Sequence, residues 1–161
     1  TGTLGTKEAV AIVPYVRELI ENFDGKVLFT RDTHLDDYME TQEGKNLPVP
    51  HCIKDTKGWE LNEEVKRAID AVSCNVVHIT KLSFGSVALA QLVSHTCKQE
   101  PCSVELVGLC SDICVITNAL LLKAHTPETP IAVDSACVAG VTPESNEAAL
   151  TTMKMCQIQV L

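Results

Sequence analysis

Three segments carry side chains suited to covalent or metal chemistry, and each follows a run of apolar residues. Gly108-Leu109-Cys110-Ser111-Asp112-Ile113-Cys114-Val115 leads from such a run, through a small polar turn, into helical spacing. A thiol in the first turn of a helix sits at the positive end of the helix dipole, which favours the thiolate, and the free backbone N–H groups there can hold an oxyanion. Cys114 is therefore a candidate nucleophile. The competing reading is a small buried hydrophobe, the usual role of a free cysteine. A redox pairing of Cys110 with Cys114 lacks the two-residue gap of thioredoxin-like motifs.

Arg31-Asp32-Thr33-His34 closes an earlier apolar run, and His51-Cys52 follows in the same long connecting segment. Asp32 and His34 share a face of an extended chain, because alternate side chains point the same way. With His51 they make two imidazoles and a carboxylate, a set that leaves positions open on a divalent ion. Cys52 competes as a ligand but does not share a face with His51 in an extended segment. The bland alternative is a pair of surface histidines beside a capping aspartate.

Thr80-Lys81-Leu82-Ser83-Phe84-Gly85-Ser86 again runs from strand through turn to helix. There Lys81 can stabilise a nearby thiolate and Phe84 can stack on a planar substrate, against the alternative of an exposed lysine closing a strand. In Asp134-Ser135-Ala136-Cys137, Asp134 reads as a group that satisfies turn amides.

The elements that must position these residues follow from the apolar patterning. Near-continuous Val, Ile and Leu content predicts strands over Lys26–Arg31, Asn75–Thr80, Val104–Leu109, Ile131–Ala136 and Gln157–Leu161. Strands of that kind are covered on both faces, as in parallel sheets. Helical spacing separates them: Val13 to Phe23, Asn62 to Ala71, Val87 to Cys97, Ile113 to Ala124 and Pro143 to Met155. Thr142-Pro143-Glu144 is the clearest helix start, with a cap, a proline tolerated at the first position and an acid at the dipole's positive end. The alternation predicts an α/β fold, a doubly wound, Rossmann-like, mainly parallel sheet flanked by helices in three layers. In such sheets ligands bind beyond the carboxyl ends of the strands, where the three segments lie. Thr33 to Trp59 shows no periodicity and reads as a long functional loop. The sequence opens on a helix where a β-first alternation calls for a strand, so a strand upstream of Thr1 is expected.

Composition bounds the function. The 161 residues, 45% of them apolar, fit one domain over residues 1–161. A net charge of -8, with no basic run, argues against nucleic acid. No apolar run approaches a membrane span and no secretory leader opens the chain. The eight cysteines are scattered through apolar segments and read as reduced thiols of a cytoplasmic protein rather than a disulfide framework.

Together these segments resemble the isochorismatase-like cysteine hydrolases, with the nicotinamidase (pyrazinamidase) branch nearest, and the likeness runs through essentially the whole chain. The resemblance implies hydrolysis of a small amide, nicotinamide first, with Cys114 as nucleophile and Lys81 as the cationic partner of its thiolate. It also implies an oxyanion hole from the Cys110 and Cys114 amides, a cis peptide between Leu109 and Cys110, and contact of Phe84 with substrate. Asp32, His34 and His51 fall on the family's metal ligands, implying a divalent ion, zinc in the first place with iron or manganese as alternatives. The family's general base is an aspartate ending its first strand, ahead of the residue at which this sequence begins. Another small-amide or isochorismate-type hydrolase, or a non-catalytic metal- or ligand-binding relative, is the alternative function, and a homo-oligomer is left open.

Overall fold

Two apolar clusters on opposite faces of parallel strands organise the computed structural model, which describes residues 2–72 and 76–161. The strands are β1 (Val27–Asp32), β2 (Val76–Lys81), β3 (Val104–Leu109), β4 (Ile131–Ala139) and β5 (Gln159–Val160). The helices are α1 (Lys7–Ala11), α2 (Val13–Asn22), α3 (Gln42–Asn46), α4 (Glu63–Ala71), α5 (Val87–Gln99), α6 (Ile116–His125) and α7 (Pro143–Met155). Alternate strand residues enter alternate clusters, as the two-residue period requires. Leu28 joins Leu89, Val93, Ala119, Leu122, Ala149 and Met153 of α5, α6 and α7, whereas its neighbour Phe29 joins Val16, Ile20, Ala68 and Ile69 of α2 and α4. Helices thus cover both faces, giving the three-layer α/β architecture that near-continuous apolar strands predict. A fully buried side chain such as Leu122 contributes about 1.5 to 3 kcal/mol to this core.

Backbone pairing divides the strands into two parallel sheets, β1–β2 and β3–β4–β5. Asp32 is the register partner of Lys81 at the carboxyl ends of β1 and β2. On the β3–β4 pair Leu106 faces Val133, but Gly108 faces Val138. The chain from Asp134 to Cys137 therefore bulges out of register, and β4 continues to Ala139, beyond the predicted Ala136. In that bulge Asp134 accepts the Ala136 amide at 2.8 Å, the turn role assigned to it. Asn75, placed at the start of the second strand by its sequence, lies outside the described residues.

The helix starts follow local chemistry. Thr142 and Ser145 form a reciprocal capping box around Pro143, while Asn62 and Ser86 cap α4 and α5. No helix among the described residues is long and apolar enough to cross a membrane.

Two expectations are corrected. The segment from Thr33 to Trp59 is not a plain loop: it holds α3 and 3-10 turns at Tyr38–Glu40 and Lys57–Trp59. These are too short to show a helical period. The cysteines are not all reduced, because Cys97 and Cys102 form a disulfide. The turn from α5 into β3 brings their Cα atoms to 5.3 Å, inside the range a disulfide spans.

Candidate active site and metal centre

The β1–β2 register sets Asp32 beside Lys81, and the turn after β3 brings Cys114 to the same point. The Lys81 ammonium lies 3.0 Å from Asp32 Oδ1, 3.1 Å from the Ser83 carbonyl and 3.3 Å from the Cys114 sulfur. These three acceptors match its three N–H donors. Lys81 is only 6% exposed, so it is not a surface lysine closing a strand. Burial pulls its pKa down, but Cys114 and Asp32 together outweigh burial and hold it above the ordinary value.

Gly108 initiates the turn that leads to Cys114 with a φ of +107°, a conformation that side-chain-bearing residues avoid. The Leu109–Cys110 peptide that follows is cis. Ser111–Val115 then forms a single π turn, closed by the Val115 amide donating to the Cys110 carbonyl at 2.9 Å, before α6 begins. Cys114 thus lies in a wide π turn ahead of the α-helix rather than in its first regular turn. The turn is fastened to α7: the Ser111 hydroxyl donates to Asn146 Oδ1 at 2.5 Å, and Asp112 accepts from the Ser145 hydroxyl and from the Val141 amide.

The expected fall in the Cys114 thiol pKa is not found. Burial pushes it up; Lys81 and the Cys110 backbone amide pull the other way without reversing the shift, and Asp32 adds to the rise. Among the influences on the thiol, Lys81 is the largest that opposes burial. Cys110 is a free thiol pushed up to about 11, chiefly by burial and then by Cys114. Cys110 and Cys114 are not bonded to each other.

On the other side of Asp32 the structure gathers His34, His51 and a residue the sequence did not suggest, Glu43 of α3. One ligand atom from each of the four lies within 4.8 Å of every other. His34 Nε2 stands 3.4 Å from Asp32 Oδ2 and 3.6 Å from Glu43 Oε1, and His51 Nε2 stands 3.9 and 3.7 Å from the same oxygens. His34 Nε2 is buried without a hydrogen-bond partner, a cost that a bound cation would remove. His51 Nδ1 meets the Val49 carbonyl at 2.8 Å, which directs Nε2 into the cluster. Two imidazoles and two carboxylates converging this closely fit a zinc, iron or manganese ion. Cys52 is outside the set; its backbone takes a φ of 46°, and burial raises its thiol pKa.

The buried ring of Tyr38 packs against both imidazoles, and its hydroxyl donates to the Leu47 carbonyl at 2.9 Å. Thr41 caps α3 and so fixes Glu43 in place. The only hint in the sequence was Thr41 followed by Gln42 and Glu43, a helix start too short to carry a prediction. Phe84 stands apart from these contacts, on the exposed turn after β2, and is itself 44% exposed.

A family model described as the isochorismatase domain matches residues 1–161, the whole chain. The chain belongs to the isochorismatase family. Among solved structures, this isochorismatase-family chain is similar to a nicotinamidase/pyrazinamidase from Bacillus subtilis, at 28% identity and a TM-score of 0.74 over 96% of this chain and 84% of that one. A nicotinamidase from Staphylococcus aureus shares 26% identity, with a TM-score of 0.71 over 93% of this chain and 85% of its own. The pyrazinamidase of Pyrococcus horikoshii, in complex with zinc, shares 25% identity, with a TM-score of 0.75 over 99% and 89% of the two chains. Among curated proteins no sequence matches.

Proposed function

We propose that this isochorismatase-family protein is a cysteine-dependent amidohydrolase with nicotinamide as its first substrate. The protein is a hydrolase of amide carbon–nitrogen bonds. One observation carries that reading: Asp32 joins two centres, with Oδ1 on the Lys81 ammonium, itself 3.3 Å from the Cys114 sulfur, and Oδ2 facing His34 and His51. A single carboxylate thus links a cation-paired thiol to a candidate metal site. The nicotinamidase and pyrazinamidase neighbours support a planar heteroaromatic carboxamide.

In this reading the Cys114 sulfur attacks the carboxamide carbon, the carbon–nitrogen bond breaks, and the thiol proton leaves on the nitrogen as ammonia. Water then cleaves the thioester, giving the carboxylic acid and restoring the thiol. Lys81 stabilises the thiolate that attacks. The backbone N–H groups of Cys110 and Cys114 receive the negative oxygen of the tetrahedral intermediate. Phe84 is assigned to stacking on the substrate ring. Asp32, His34, Glu43 and His51 would hold a divalent ion, zinc first, which when bound offers a Lewis-acid position for a ring nitrogen.

The test is ammonia release from nicotinamide, pyrazinamide and aliphatic amides. Release from the ring amides, abolished by Cys114→Ala and retained by Cys110→Ala, is the expected result. Metal binding with no ammonia from any amide would instead mark a non-catalytic binding protein, and a preference for aliphatic amides would move the substrate class.

A further inference from the structure

Asn118, on the first turn of α6, is 5% exposed, and its side chain makes three hydrogen bonds, each to a segment that bears on the nucleophile. Its Nδ2 donates to the Cys114 carbonyl at 2.8 Å and to the Phe84 carbonyl at 3.4 Å, and its Oδ1 accepts the Ser86 amide at 2.9 Å. One buried amide therefore grips both the π turn that carries Cys114 and the turn that follows Lys81. Ser86 in turn caps α5 through its hydroxyl, which accepts the Leu89 amide. The same turn reaches α6 at Gly85, where an added Cβ would lie 2.6 Å from Leu121 and 2.7 Å from Thr117. Thr117 works beside Asn118, donating to the Ile113 carbonyl at 2.6 Å. Two side chains thus satisfy carbonyls of a π turn whose wider hydrogen-bond ladder departs from the α-helical pattern.

The turn clamped by Asn118 also supplies the Ser83 carbonyl, which accepts from the Lys81 ammonium at 3.1 Å. Lys81 is thus oriented partly by that turn, and Cys114 by the π turn. The Asn118 amide bridges the two. We propose that Asn118 is a positioning residue that sets the separation of the Cys114 sulfur and the Lys81 ammonium by tying their two turns together. The inference rests on Cys114 being the nucleophile and Lys81 its cationic partner.

Asn118→Leu keeps the volume of the side chain and removes all three bonds, while Asn118→Thr keeps a hydroxyl able to donate to the carbonyl four residues back. In Asn118→Leu, kcat for ring amides should fall about 10- to 100-fold with KM unchanged, the scale expected when a reacting group is displaced by about an ångström. The rate of Cys114 alkylation by iodoacetamide at one fixed pH, read by peptide mass mapping, should fall with it, while alkylation of Cys156 stays constant. Asn118→Thr should recover part of both losses. An Asn118→Leu protein with native circular dichroism and unaltered kcat and Cys114 alkylation would overturn the proposal. Should Asn118→Leu fail to fold, Asn118→Thr decides, because values equal to those of the unsubstituted protein would overturn the proposal as surely. If the unsubstituted protein releases no ammonia, the amidohydrolase reading fails, and the alkylation rates still report whether Asn118 positions Cys114.

Discussion

The Lys81 ammonium lies 3.3 Å from the Cys114 sulfur, although the two residues are 33 positions apart, Lys81 ending a strand of one sheet and Cys114 lying in the turn after a strand of the other. Burial raises the thiol pKa, and Lys81 is the largest influence opposing it. Removing the ammonium while keeping the length of the side chain, as in Lys81→Met, should raise the Cys114 pKa further. The alkylation rate of Cys114 against pH should then move to more alkaline values, and turnover should drop by about 10²- to 10³-fold, as when one preorganised donor is removed. An unchanged alkylation profile would show that Lys81 does not govern the thiolate.

Elemental analysis should find close to one zinc, iron or manganese ion per chain, lost to a chelator. Glu43→Gln should weaken retention of the ion by about 10- to 100-fold, the scale seen when a group that supports a metal site is altered. His51→Ala should weaken it at least as much. Metal content unchanged by Glu43→Gln would confine the ligands to Asp32, His34 and His51.

Gly44 adjoins Glu43 in α3, and a Cβ there would be driven into the Tyr38 carbonyl and within 2.9 Å of the Met39 Cα. Backbone cannot yield as a flexible side chain does. Gly44→Ala should therefore destabilise the fold by about 1 to 3 kcal/mol and weaken metal retention along with it. A thermal midpoint and metal affinity equal to those of the unsubstituted protein would show that α3 does not depend on this close approach.

The cysteines should separate by chemistry under native alkylation. Cys137 is 2% exposed, and its thiol is pushed up to about 12, by burial first and then by Asp134, so it should stay unlabelled until the protein is denatured. Cys97 and Cys102 should label only after reduction, since they are bonded to each other. Mass mapping with and without reductant distinguishes the two cases.

Much of this arrangement is determined locally and was readable in the sequence. Val104–Leu109 and Pro143–Met155 have the predicted bounds, the first as a continuous apolar run and the second because Thr142 and Pro143 mark its start unambiguously. Each of these signals is complete within about a dozen residues. Asp32, Lys81 and Cys114 were likewise candidates from position alone, since each comes just after a strand predicted from the sequence, at the end where such sheets bind ligands.

The tertiary structure decided what depends on partners distant in sequence. Asp32 and Lys81 meet across 49 positions through strand register, and Asn118 reaches back 34 to the Phe84 carbonyl. Glu43 joins the histidines only because Thr41 and Tyr38 set a helix too short to leave a period. The division of the strands into two sheets, the Cys97–Cys102 bond and the raised rather than lowered Cys114 pKa belong with these. Pairing, approach and desolvation are properties of the packed neighbourhood, and apolar periodicity records only which face a residue turns toward it.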